Sequence, residues 1–160
     1  MTSTVPGVRP TLDEARAALQ ARFGFPDFRP GQERAVTSVL GGRDTLVVLP
    51  TGGGKSVCYQ VPALLLPGLT VVVSPLISLM KDQVDALTAR GIPATFVNST
   101  LTAGEISHRM ARVTSGEVKL LYVAPERFDF GTTADRLRDV GVSLLAIDEA
   151  HCISEWGHDF

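Results

Sequence analysis

Two short stretches of this sequence combine residue types at a spacing suited to chemistry on a phosphate. The first is Pro50-Thr51-Gly52-Gly53-Gly54-Lys55-Ser56. Three consecutive glycines let the backbone N–H groups of Gly53, Gly54, Lys55 and Ser56 wrap around a β-phosphate, because side chains there would block the approach. Lys55 would neutralise β- and γ-phosphate oxygens as a point charge, and the Ser56 hydroxyl is the kind of hard oxygen ligand that magnesium takes. The general phosphate-loop pattern begins with a glycine five residues before the Gly-Lys pair. Here that position is Leu49, so the looser form of the pattern is met.

The second stretch is Asp148-Glu149-Ala150-His151, which follows the aliphatic run Ser143–Ile147. Two adjacent carboxylates at the carboxyl end of a strand lie where open α/β sheets bind ligands. Asp148 would hold a magnesium ion that Ser56 also touches, and Glu149 would orient and polarise a water for attack on the γ-phosphate. Such a pair alone reads most simply as a solvated turn; downstream of a phosphate loop the catalytic reading is favoured. His151 and Cys152 do not make a metal site, since adjacent positions rarely converge on one ion.

The elements that must position these residues follow from hydrophobic spacing. Thr11 with Glu14 is a capping box, and Leu12, Ala15, Leu19 and Phe23 recur at helical spacing, so a helix is expected over 11–23. Residues 25–31 form a loop, and Gln32 to Leu40 reads as a short helix closed by Gly41 and Gly42. Aliphatic runs at Thr45–Leu49, Thr70–Ser74, Thr95–Val97, Leu120–Ala124 and Ser143–Ile147 read as buried parallel strands. Between them, helical stretches run from Leu76 to Arg90 and from Thr102, with its box partner Glu105, to Gly116. Alternation of this kind predicts an α/β doubly wound parallel sheet with helices on both faces. The phosphate loop would then sit between the Thr45–Leu49 strand and a helix, whose N-terminus adds partial positive charge.

Composition bounds the rest. The 160 residues suit one domain, 11–160, behind a flexible stretch 1–10, and 44% hydrophobic with 20% charged residues is globular rather than disordered. A net charge of −2 carries no global basic field, so any nucleic-acid contact has to be local. The apolar run Val61–Val73 is broken by Pro62, Pro67 and Gly68, well short of the roughly 20 residues of a membrane span, and no leader is visible. Cys58 and Cys152 are too few for a disulfide framework and read as two buried thiols in a reducing, cytoplasmic compartment. No zinc site is expected.

Beyond the two chemical motifs, Phe23 to Gln32, Pro75 to Gln83, Ala124-Pro125-Glu126-Arg127 and Ile153 to Phe160 complete a set of segments that resembles the RecQ family of ATP-dependent DNA helicases, across nearly the whole chain. The resemblance implies a RecA-like P-loop fold and ATP with Mg2+ as cofactors. Phe25 and Arg29 would sandwich the adenine and Gln32 would read its edge, its amide both donating and accepting. Phe28, in contrast, reads as packing beneath the loop. Ser74, Gln83 and Arg127 fall in segments that would follow the phosphate backbone of single-stranded or partly duplex DNA. Lys81 and Arg127 serve equally well as solvated helix charges. Trp156 and Phe160 would stack on bases, with His158 passing that occupancy to Glu149, although Trp156 also suits a core position.

The resemblance further implies unwinding in the 3′ to 5′ direction, in DNA repair and recombination, and association with the nucleoid if the source is bacterial. It places residues beyond Phe160 in a full helicase. These include a strand lying between Thr45–Leu49 and the strand of the Asp-Glu pair, and a second lobe with its arginine. The expectation is therefore a RecA-like sheet incomplete at its C-terminus, prone to aggregate and inactive in unwinding by itself. A non-catalytic truncated-gene product that at most binds nucleotide or DNA is the competing reading.

Overall fold

The computed structural model describes residues 9–50, 54–129 and 132–150, with 128, 129 and 132 described in backbone only. The chain divides into two compact units, residues 1–67 and 68–160. Thr51, Gly52, Gly53, His151, Cys152, Trp156, His158 and Phe160 lie outside the described residues.

The first unit is helical. Helix α1, Leu12–Ala18, starts at Thr11, whose side chain accepts the Glu14 amide, and runs directly into a π turn, Leu19–Phe23, closed by Gly24 in the left-handed region. The amphipathic spacing shows in burial: Ala15, Leu19 and Phe23 are buried on one side. Helices α2, Gln32–Leu40, and α3, Val57–Leu65, pack on each other and bury Ala35, Val36, Leu40, Val57, Cys58, Val61 and Ala63. Burial raises the pKa of the Cys58 thiol, which keeps it protonated and inert at neutral pH.

One expected element is absent. Residues 45–49 form no strand; Leu46 and Val48 are 82% and 83% exposed. The residue types favour a strand, but β propensity expresses packing against neighbouring strands, and no described strand pairs with this segment. At one end of the segment the Thr45 hydroxyl donates to the Arg43 carbonyl at 2.9 Å, and at the other Leu49 is anchored, its Cδ2 lying 2.8 Å from where a Cβ on Gly31 would stand. Gly31, at φ 88°, is therefore a glycine position on two counts.

The second unit is α/β. Strands β1 (Leu69–Val73), β2 (Ala94–Val97), β3 (Leu120–Val123) and β4 (Val142–Ile147) make one sheet in the order β2-β3-β1-β4. All three pairings are parallel. Helix α4, Ile77–Ala89, connects β1 to β2; α5, Ala103–Thr114, connects β2 to β3; a 3-10 turn, Pro125–Asp129, and α6, Thr132–Val140, lead to β4. Helix α5 carries the full capping box predicted for it, with Thr102 and Glu105 each bonding the other's backbone amide.

Alternate β1 residues Leu69, Val71 and Val73 join Val97, Leu121 and Val123 in a core closed by Met110 and Val113 of α5 and Leu137 of α6. Thr70 and Val72, which point the other way, are buried as well. That double burial explains why β1 and β3 read as unbroken aliphatic runs instead of alternating ones. Strand β4 differs, with Val142 and Leu145 exposed at 39% and 55%.

Candidate functional site

Gly54 is the first described residue of the phosphate loop, and it is tied to α2 by side-chain chemistry. Gln32 is only 3% exposed; its Oε1 accepts the Arg29 amide at 2.8 Å, and its Nε2 donates to the Gly54 carbonyl at 3.0 Å. Gly54 has φ 75°, and a Cβ there would lie 2.4 Å from Gln32 Nε2 and 3.9 Å from an Arg29 guanidinium nitrogen. The loop glycine is required both for its conformation and for the close approach of the Gln32 amide. Structure thus brings together Arg29, Gln32 and Gly54, three of the residues chosen from sequence, and adds a duty for Gln32 that its side-chain type did not announce.

Lys55 and Ser56 follow as a turn that leads into α3, and both are partly buried. The amides of Val57 and Cys58 bond back to the Gly54 and Lys55 carbonyls at 3.2 and 3.1 Å. Ser56 is the N-cap residue; its backbone is already helical and its side chain makes no capping bond. Phe25 is 39% exposed in the loop before α2.

In the second unit, strand register builds the site. Val73 pairs with Val123 and with Ile147, and Val97 pairs with Val123, so Ser74, Ala124, Asp148 and Asn98 form one row just beyond the carboxyl ends of the strands. Backbone bonds extend the row past the strands: Ser74 N to the Val123 carbonyl at 3.1 Å, Ala124 N to that of Val97 at 3.3 Å, and Asp148 N to that of Val73 at 2.8 Å. Asp148 and Glu149 are thereby held at the ligand-binding edge that parallel sheets use. Asp148 Oδ1 accepts the Glu149 amide at 3.0 Å, and Glu149 takes φ 54°, left-handed for a residue with a side chain. Such a conformation costs about 1 to 3 kcal/mol and clusters at functional sites.

The candidate DNA-contacting residues divide. Ser74 is 3% exposed, and its hydroxyl accepts the Leu76 amide at 3.2 Å, shaping the turn into α4. Gln83 and Arg127 are partly buried, on α4 and on the 3-10 turn after β3. Lys81 is exposed and paired with Asp85 one helical turn on, at 2.6 Å. Asn98, not singled out from sequence, is buried in the same row, where its Oδ1 accepts the Thr100 amide at 2.9 Å. A polar residue ending an aliphatic run, Ala94–Asn98, was the signal for it. Among the described residues no group of three or more His, Cys, Asp or Glu is arranged to hold a metal. The Ser56 hydroxyl and the Asp148 carboxylate are each of the hard-oxygen type that magnesium takes.

Residues 29–160 match the DEAD/DEAH box helicase family. The chain belongs to that family. Within the DEAD/DEAH box helicases, it resembles the RecQ type: it is 51% identical over 146 residues to the ATP-dependent DNA helicase RecQ of Haemophilus influenzae, covering 91% of this chain and 24% of that protein. Against the Bacillus subtilis ATP-dependent DNA helicase RecQ the identity is 51% over 150 residues, 93% of this chain and 25% of that protein. The RecQ-like DNA helicase blm-1 of Caenorhabditis elegans is 45% identical over 152 residues, 89% of this chain and 15% of that protein. The chain spans about a quarter of the length of the bacterial relatives. For a DEAD/DEAH box helicase, the loop around Gly54 to Ser56 and the Asp148-Glu149 pair are the expected phosphate-handling parts. In this chain α2 secures the first and strand register the second. No helix among the described residues is long and apolar enough to cross a membrane.

Proposed function

We propose that the chain is the ATP-binding front part of a RecQ-type DNA helicase, in which ATP hydrolysis drives 3′ to 5′ movement along single-stranded DNA during repair and recombination. The observation that carries the ATP reading is the Gln32 amide, buried between the Arg29 backbone and the Gly54 carbonyl, which joins a base-binding loop to a phosphate loop. In this reading Phe25 and Arg29 flank the adenine, while Gln32 offers its edge a donor and an acceptor. Backbone amides of the loop, with Thr51, Gly52 and Gly53 contributing, hold the phosphates, and Lys55 neutralises the β and γ oxygens. Ser56 and Asp148 would hold magnesium, which when bound offsets phosphate charge. Glu149 orients the attacking water and takes its proton.

In this reading the segments of Ser74, Gln83 and Arg127 would follow a DNA backbone, Trp156 and Phe160 would stack on bases, and His158 would pass that occupancy to Glu149. Unwinding belongs to a polypeptide of the relatives' length, about four times this one.

The test is magnesium-ATP titration of the purified chain, with Lys55→Ala as control and turnover followed with and without single-stranded DNA. Saturable binding that Lys55→Ala abolishes supports the assignment. Glu149→Gln is expected to keep ATP binding and to lower the turnover of a full-length helicase carrying this segment by roughly 10²- to 10⁴-fold. Folded chain that binds no ATP would sink the reading and favour a product that no longer handles nucleotide.

A further inference from the structure

Two side chains on one face of α1 and its π turn are directed at the loop that precedes α2. Arg16 Nε donates to Asp27 Oδ1 at 3.0 Å, and the same oxygen accepts the Phe28 amide at 2.8 Å. One helical turn on, Gln20 Nε2 donates to the Pro26 carbonyl at 2.8 Å. Arg16 is itself held from both sides, by Asp13 at 3.3 Å within α1 and by Glu33 of α2 at 3.4 Å. With the Gln32 bond to the Arg29 amide, Pro26, Asp27 and Arg29 are each fixed through a polar group by a helix side chain, and Phe28 is fixed through Asp27.

Partly exposed ion pairs add little to global stability, because water and salt screen them and ordering long side chains costs entropy. Arg16 at 31% and Asp27 at 62% side-chain exposure belong in that class. What such a network does accomplish is to select one shape for a short loop carrying Phe25 and Arg29 at its two ends. We propose that Arg16 and Gln20 are positioning residues for base recognition: α1 holds the loop 25–29 in the form that presents Phe25 and Arg29 to adenine. The proposal rests on the ATP reading of the site. It assigns to α1, a helix that touches no phosphate residue through these two side chains, control over which nucleotide is preferred.

A split between the base and the phosphates tests this. The full 160-residue chain, Arg16→Ala, Gln20→Ala and the double variant are titrated with magnesium-ATP and, separately, with magnesium and inorganic tripolyphosphate, which has no base. Amide hydrogen exchange at Phe28 and Arg29 is measured without ligand. Each single change is expected to weaken ATP binding about two- to fivefold and the double change about tenfold, from the worth of exposed pairs. Tripolyphosphate affinity stays unchanged. Exchange at Phe28 and Arg29 quickens while that of Leu121 in the sheet does not.

Equal loss for both ligands would show a merely structural role and overturn the proposal, as would unchanged ATP affinity or unchanged exchange. If the unaltered chain binds tripolyphosphate and ATP equally, base recognition fails while the phosphate site stands. If it binds neither, the ATP reading falls and takes this proposal with it.

Discussion

The two halves of this helicase segment position their chemistry by different means. In the sheet unit, Ser74, Asn98, Ala124 and Asp148 are aligned by backbone register alone, so their placement follows from the ladder whatever side chains surround them. Among the described residues of the helical unit no strand ladder reaches the phosphate loop. Gly54 is held by the Gln32 amide, and the base loop by Arg16, Gln20 and Gln32. A site built on register is robust to single substitutions and fails by unfolding. One built on a few directed hydrogen bonds can lose its geometry while the protein stays folded.

Leu121→Ala should give the largest stability effect. Leu121 is fully buried in the sheet core, and truncating such a residue costs about 2 to 5 kcal/mol, a large share of the 5 to 15 kcal/mol that typically holds a domain together. Urea unfolding should show a lower midpoint with an unchanged slope. Below the transition the affinity for magnesium-ATP should be that of the parent. A weakened affinity in fully folded protein would break the distinction, because it would mean that core packing also sets the geometry of the nucleotide loop.

Gly54→Ala should show the opposite pattern. Its backbone, at φ 75°, would be strained by about 1 to 2 kcal/mol, and the new Cβ would displace the Gln32 amide it meets at 2.4 Å. ATP affinity is expected to fall about tenfold or more, which corresponds to 1.4 kcal/mol or above, with little change in the urea midpoint of the sheet unit. Parent-like affinity would mean that the Gln32 to Gly54 tie is dispensable.

The same contrast explains what the sequence disclosed. Strands β1 to β4 and helices α2, α4 and α5 were legible within one or two residues of their observed ends, because double burial writes continuous aliphatic runs and because Thr102 with Glu105 and the terminating glycines mark helix ends. The Asp148-Glu149 pair was legible for the same reason, as the residues that end such a run. Residues 45–49 misled, since Thr-Leu-Val-Val-Leu carries strand composition whether or not a neighbour is there to pair with it. Gln32 was singled out as an amide for a base edge, but its bond to Gly54 spans 22 residues and left no periodic trace. Arg16 and Gln20 were invisible: a charged and a polar residue on an exposed helix face look like solvation, and only the fold of residues 24–31 brings Asp27 and Pro26 to them.

The smallest expected effect gives the sharpest comparison, because one chemical change can be made in both units. Thr11 caps α1 by accepting the Glu14 amide at 3.2 Å, and Thr102 caps α5 by accepting the Glu105 amide at the same distance. Replacing either threonine by alanine removes a helix cap, at about 0.5 to 2 kcal/mol, and the two losses should be similar in thermal unfolding. Function should separate them. Helix α5 packs under the sheet, where register holds the site, so Thr102→Ala should leave ATP affinity at the parent value. Helix α1 carries Arg16 and runs into the π turn that carries Gln20, so fraying its first turn should loosen the base loop and weaken ATP about twofold, with tripolyphosphate binding unaffected. Equal affinities in the two variants would mean that α1 sets the base loop no more than α5 does, and the division between a register-built and a contact-built site would lose its support on the helical side.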